Sequence, residues 1–145
     1  MIVVVIIAVI GAIAIPRLSR GSTGAADSAL AGDLAVLRKA IDLYTAEHDG
    51  QLPTLYGITN QLIFYSDAAG NTAGNRTATC IYGPYLRSIP ALPVGKNKGG
   101  TGIAPVGPFT LNNTYGWVYD PGTGTITANT AASELDSTGK RYILY

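Results

Sequence analysis

Cysteine, histidine, methionine and tryptophan each occur once in these 145 residues, and charge is scarce. A lone Cys80 cannot close an internal disulfide, so cysteine usage gives no indication of the compartment. Cys80 and His48 together fall short of a zinc ligand set, and a Cys/His nucleophilic pair would depend on the fold bringing two distant positions together. Asp120, Glu134 and Asp136 lack the spacing of a calcium loop, and the GxG at 122–124 has no strand-to-helix context for phosphate. Ten basic residues against nine acidic ones create no field that would gather nucleic acid. The expectation is a protein with no enzymatic activity, no bound cofactor or metal, and no nucleic acid as its main partner.

What the chain does have is an apolar run at its start. Residues 1–15 are Met, Ile, Val, Ala or Gly throughout. As a helix this run spans roughly 22 Å, short of the ~30 Å bilayer core that takes about 20 apolar residues. That shortfall implies further apolar residues ahead of Met1. A membrane or filament helix, the remnant of a secretory signal and a buried core element all fit the run. A signal peptide would carry a basic segment in front, and residues 3–7 are β-branched, as a buried strand would be. In the helical reading Ile2, Val5, Ile6, Val9, Ile10, Gly11, Ile13 and Pro16 form the membrane or filament core. Pro16 removes an N–H from the ladder and Gly11 lowers helix propensity, so a kink or loosening is expected there. Arg17 and Arg20 follow the run; on the positive-inside rule alone they would keep that side cytoplasmic, so an exported body needs a more basic leader upstream.

Residues 21–24, Gly-Ser-Thr-Gly, read in isolation as a linker. Beyond them Ala26, Leu30, Leu34, Leu37, Ile41 and Tyr44 recur at spacings of four and three, the stripe of a helix with one face against a partner surface. The opposite face is assigned Asp27, Asp33, Arg38, Lys39 and Asp42, with Arg38 and Asp42 one turn apart and able to pair. Gly50 is the expected helix stop and Pro53 prevents resumption, leaving His48 as a surface group at the helix end.

"MIVVVIIAVIGAIAIPRL", small residues, and then "LAVLRKAIDLYTAEHDGQLP" together resemble the N-terminal half of type IV pilins and, more closely, of the major pseudopilins of type II secretion. The resemblance covers about residues 1–53, with weaker matches in "YGPYLRSIPALPVG" and "GWVYDPGTGTITAN". It implies a mature chain that begins upstream of Met1 with a methylated phenylalanine and an apolar segment carrying a glutamate. Gly11 and Pro16 match family positions where the helix loosens on leaving the bilayer. The resemblance further implies self-assembly into a helical filament, a prepilin peptidase and an assembly platform as partners, and a bacterial inner-membrane location with the body outside the cytoplasm. Calcium-binding members carry acidic residues ahead of the matching tryptophan, whereas Asn112, Asn113 and Thr114 precede Trp117 here.

In the C-terminal half, Thr59 is the expected cap of a short helix over 61–69 closed by Gly70, and 71–79 reads as a loop. Prolines and glycines break residues 84–108 into irregular chain, with 96–102 mobile and Lys96 and Lys98 in solvent. Trp117, Val118 and Tyr119, a Pro/Gly turn and then residues 125–128 predict a hairpin with Trp117 and Tyr119 on one face. Residues 142–145 are β-prone and predict a third strand. The aromatics after residue 80 are expected in the core and along the sheet edge rather than in a ligand groove.

The expected fold is α+β and pilin-like, with a long N-terminal helix laid on a small antiparallel sheet through Leu30, Leu34, Leu37, Ile41 and Tyr44. Residues 1–20 form the transmembrane or filament-core helix and 21–145 the extracytoplasmic body. The expected function is a structural subunit of a pseudopilus-like filament in type II secretion. A type IV pilin serving adhesion, motility or DNA uptake, a membrane-tethered binding module and a secreted enzyme are the alternatives.

Overall fold

The computed structural model describes residues 2–145, except for the side chains of residues 11–21. Helix α1 runs from Ile2 to Glu47, 46 residues, or about 69 Å at 1.5 Å per residue. The filament-core assignments of Gly11, Ile13 and Pro16 lie outside the described side chains, but the backbone is helical past all three. The linker expected at 21–24 is likewise helical. Each glycine costs about 1 kcal/mol there, whereas breaking one helix into two requires a second unfavourable nucleation. The helix ends as expected: Asp49 (φ 53°) and Gly50 (φ 81°) adopt left-handed backbone, and the Gly50 N–H bonds to the Thr45 carbonyl at 2.9 Å.

Beyond α1 come α2 (Ile58–Ile63), β1 (Tyr65–Ser66), β2 (Thr72–Ala73), β3 (Gly102–Pro105), β4 (Tyr115–Asp120), β5 (Thr125–Ala128) and a 3-10 turn at Tyr142–Leu144. The short helix thus starts and stops earlier than the sequence suggests. Its entry is Gly57, with no side-chain cap, and the Ile58 N–H reaches back to the Thr54 carbonyl at 2.8 Å. Gln61 turns inward, accepting from the Thr54 N–H at 2.9 Å and donating to the Gly70 carbonyl at 3.0 Å. The chain is extended again by Tyr65 and pairs with β2 inside the segment expected to be loop.

The main sheet has the order β3-β4-β5 and is mixed rather than wholly antiparallel. β4 and β5 form the expected hairpin, with Trp117 opposite Ala128 and Tyr119 opposite Ile126. Trp117 and Tyr119 are fully buried while Val118, on the other face, is half-buried. β3 pairs with β4 in parallel, Ile103 opposite Trp117. A parallel partner needs a long return connection, here residues 106–114, and nothing local announces it. The strand expected over residues 142–145 is instead the 3-10 turn, because Tyr142 and Tyr145 are drawn toward α1 by hydrogen bonds described below.

α1 packs across β5, and the core lies between them. Leu30, Leu34, Leu37, Ile41 and Tyr44 are at most 2 % exposed and meet Trp117, Tyr119, Ile126, Leu62 and Leu92. Burial of each such aliphatic side chain contributes about 1.5–3 kcal/mol. The two large aromatics satisfy their polar ends inside this core. Trp117 Nε1–H donates to the Pro90 carbonyl at 2.8 Å and Tyr119 O–H to the Pro53 carbonyl at 3.1 Å. Two segments with little regular structure are thereby fastened to the sheet.

Candidate functional site

Ile2, Val5, Ile6, Val9 and Ile10 are all 51–77 % exposed, as are Val3, Val4 and Ile7 between them. A helix that is apolar on every side is stable only where it is buried, in a protein core, in lipid or against a partner surface. Among the described residues no helix is long and apolar enough to cross a membrane. The boundary drawn between residues 20 and 21 falls inside α1, so the exposed apolar end and the spine of the body belong to one helix.

The buried stripe extends beyond the residues that define it. Asp27 lies three residues before Leu30 and His48 four after Tyr44, so both continue the three-and-four spacing. Both are buried, at 8 % and 2 % exposure, in place of the surface positions expected for them. His48 stacks on Tyr44 with ring centroids 3.8 Å apart and lies 5.0 Å from the Tyr82 ring. Its Nδ1 is 2.8 Å from the Tyr44 carbonyl oxygen, an acceptor only, so Nδ1 carries the proton. Nε2 lies within hydrogen-bond distance of the Ser66 hydroxyl, at 3.1 Å. A serine within reach of an imidazole has the separation of a nucleophile and its base. Ser66 is fully buried, however, and its N–H and carbonyl pair with Tyr82, so the pair fastens the end of α1 to β1. Beside it Tyr85 donates to Glu47 at 2.6 Å, and burial first and Glu47 second push the Tyr85 hydroxyl well above its ordinary range.

Asp27 accepts from the Ser137 N–H at 3.0 Å and from the Tyr142 hydroxyl at 2.9 Å. Burial raises its carboxyl pKa, but those bonds outweigh burial and hold it below the ordinary aspartate value. Asp136 accepts from Tyr145 in a short hydrogen bond and from Thr138 and Lys140, and its pKa is lowered, the Tyr145 bond being the largest cause. Arg38 does not pair with Asp42. It donates to the Tyr145 carbonyl oxygen at 2.5 Å and to that of Ile126 at 3.3 Å. The last residues of the chain are thus tied to α1 at Asp27 and Arg38.

Lys96 and Lys98 are exposed, as expected, but the segment around them is pinned. Between them Asn97 is fully buried, donating to the Thr110 and Asn129 carbonyls at 3.0 Å each and accepting from the Asn112 N–H at 2.9 Å. The loop ahead of Trp117 is therefore held by a side-chain amide. Among the described residues no group of three or more His, Cys, Asp or Glu is arranged to hold a metal. Asn97 and Arg38 carry no periodic signal, whereas Asp27 and His48 were detectable as continuations of the stripe.

Comparison with family models, with curated proteins and with solved structures finds no match to the chain.

Proposed function

We propose that the chain is a structural subunit of a pseudopilus-like filament that takes part in protein export by a type II secretion system. The observation that carries this reading is the exposed apolar end, Ile2 to Ile10, borne on the same helix whose other half is the spine of the body. With further apolar residues upstream, that end lies in the bacterial inner membrane as a single pass. On assembly it exchanges lipid for the helices of neighbouring subunits. The exchange is feasible because both surroundings are apolar, so little hydrophobic free energy is lost when one replaces the other. The body, periplasmic or extracellular, follows its helix to the filament surface. By resemblance, a prepilin peptidase trims the leader and an assembly platform inserts subunits.

A scaffold is favoured over a catalyst by the burial of Ser66 and His48, which face each other inside the body. Sequencing the mature N-terminus of membrane-derived protein tests the proposal. The expected result is an N-methylated terminal residue. An unmethylated start near Pro16, the product of a cleaved signal peptide, would overturn it.

A further inference from the structure

Where α1 emerges from the body it runs beside a loop that carries two exposed lysines. Lys98 borders an open groove with Ser22, Thr23 and Ala26 of α1 and with Val94 and Tyr142. Lys96 precedes it by two residues, and Asn97 between them is fully buried and bonded to Thr110, Asn112 and Asn129. Fixing the middle residue inward holds its two neighbours at the surface. Among the described residues neither lysine ammonium is in an ion pair. The carboxylates of the same end already accept from other donors: Glu134 from the Lys96 and Ala131 N–H groups at 2.7 Å each, and Asp27 from Ser137 and Tyr142. Acidic groups gather at the far end of α1, where Glu47 and Asp49 close the helix and the bond from Tyr119 to Pro53 brings Asp120, at the end of β4, to the same side.

Helical rise sets the height of these lysines above a membrane. The apolar run ends at Ile15, and Thr23, beside Lys98, stands about 12 Å further along α1. Arg17 and Arg20 fall between them in sequence. The headgroup layer on each side of the hydrocarbon core is about 5–7 Å thick. With the apolar run in that core, Lys98 lies about 5–7 Å above the headgroups, inside the ~8 Å Debye length at physiological salt and within reach of its own stem. We propose that Lys96 and Lys98 form a basic rim by which the body rests on the phosphate headgroups of anionic lipids, in the leaflet on its own side of the membrane. The inference rests on the membrane step of the filament reading and adds the class of lipid that the body meets before assembly. Contact of this kind is electrostatic and shallow, so it orients the body without holding the subunit back from the filament.

The test is flotation of the full chain with vesicles of phosphatidylcholine alone and of phosphatidylcholine with about one-third phosphatidylglycerol, at physiological and at high salt. Neutral vesicles read the apolar end; the preference for anionic over neutral vesicles reads the rim. The wild-type chain prefers the anionic vesicles, and the preference falls at high salt. Lys96→Gln with Lys98→Gln weakens it roughly 25-fold, about five-fold for each lysine, and leaves binding to neutral vesicles unchanged. Lys39→Gln with Arg76→Gln, which removes the same charge from exposed positions elsewhere, changes it less than about two-fold. A double lysine variant that keeps the wild-type preference, or a control that loses as much, overturns the rim. Inorganic phosphate that abolishes the preference at matched ionic strength assigns the lysines to a free anion and overturns it too. A wild-type chain that binds neutral vesicles with no anionic preference overturns the rim alone. One that binds only anionic vesicles keeps the rim and contradicts insertion of the apolar end, and one that binds neither contradicts both.

Discussion

Leu37 and Val36 are neighbours in sequence, about 100° apart around α1, one buried and one half exposed, and truncating each to alanine measures what the buried stripe contributes. Leu37 is fully buried among the core side chains, whereas Val36 is half exposed. Leu37→Ala loses the transfer free energy of the removed carbons and leaves a cavity between α1 and the sheet, which together cost about 2–5 kcal/mol. Taking ~3 kcal/mol, and roughly 2–4 °C per kcal/mol for a chain of this size, the melting temperature falls by roughly 6–12 °C. Val36→Ala removes a side chain that is already half solvated and replaces a β-branched residue by the best helix former. Those effects offset one another to within about 0.5 kcal/mol. The assay is thermal unfolding of the full chain in mild detergent, followed at 222 nm and in the near-ultraviolet tryptophan band, with denaturant titration as a check. A Leu37→Ala cost below about 1 kcal/mol, or a Val36→Ala cost equal to it, would refute the assignment of the buried face.

Three further outcomes are expected. Burial first raises the hydroxyls of Tyr119 and Tyr142 to about 12, and the Asp136 bond first raises that of Tyr145 to about 12. Their native pKa values exceed the unfolded one, so they add stability that is complete below about pH 10 and lost as pH rises toward 12. Absorbance at 295 nm should accordingly show a fraction of the nine tyrosines ionising late and together with unfolding. Asp27 and Asp136 have the opposite sign. Their carboxyls are depressed, so stability is present above about pH 4 and declines as pH falls below it. Asp136→Asn should flatten the acid limb of a stability-against-pH curve. Finally, a Cβ at Gly116 would stand 2.0 Å from the Gly100 carbonyl oxygen, whereas one at Gly74 meets nothing. Gly116→Ala should abolish the cooperative transition and Gly74→Ala leave it intact.

The features legible in the sequence were those whose signal is local and periodic. The stripe from Leu30 to Tyr44 and the hairpin around the Pro/Gly turn at 121–124 each repeat at the period of their own structure, and each emerges where expected. What escaped depends on distant partners. β3 lies in a Pro/Gly-rich segment and becomes a strand only because β4 pairs with it in parallel across residues 106–114. Residues 142–145 have strand composition, yet Asp27 and Arg38 hold the Tyr142 hydroxyl and Tyr145 carbonyl and curl them into a 3-10 turn. Asp27 and His48 were judged by polarity rather than position. Their three-and-four spacing put them on the buried face, where Tyr142 and Ser66 satisfy them. Residues 21–24 looked like a linker because glycine is a poor helix former, but helix on both sides outweighs that local preference.

The central claim is that the exposed apolar end of α1 drives assembly while the body folds without it. Ile6, 51 % exposed and far from the core, separates the two roles. Filaments sheared from overproducing cells are to be counted by electron microscopy for wild type and Ile6→Asp, alongside thermal unfolding of both proteins. The account predicts wild-type filaments and none from Ile6→Asp, with the stability of the body changed by no more than about 0.5 kcal/mol. Undiminished Ile6→Asp filaments, or a wild-type chain that stays monomeric, would contradict it.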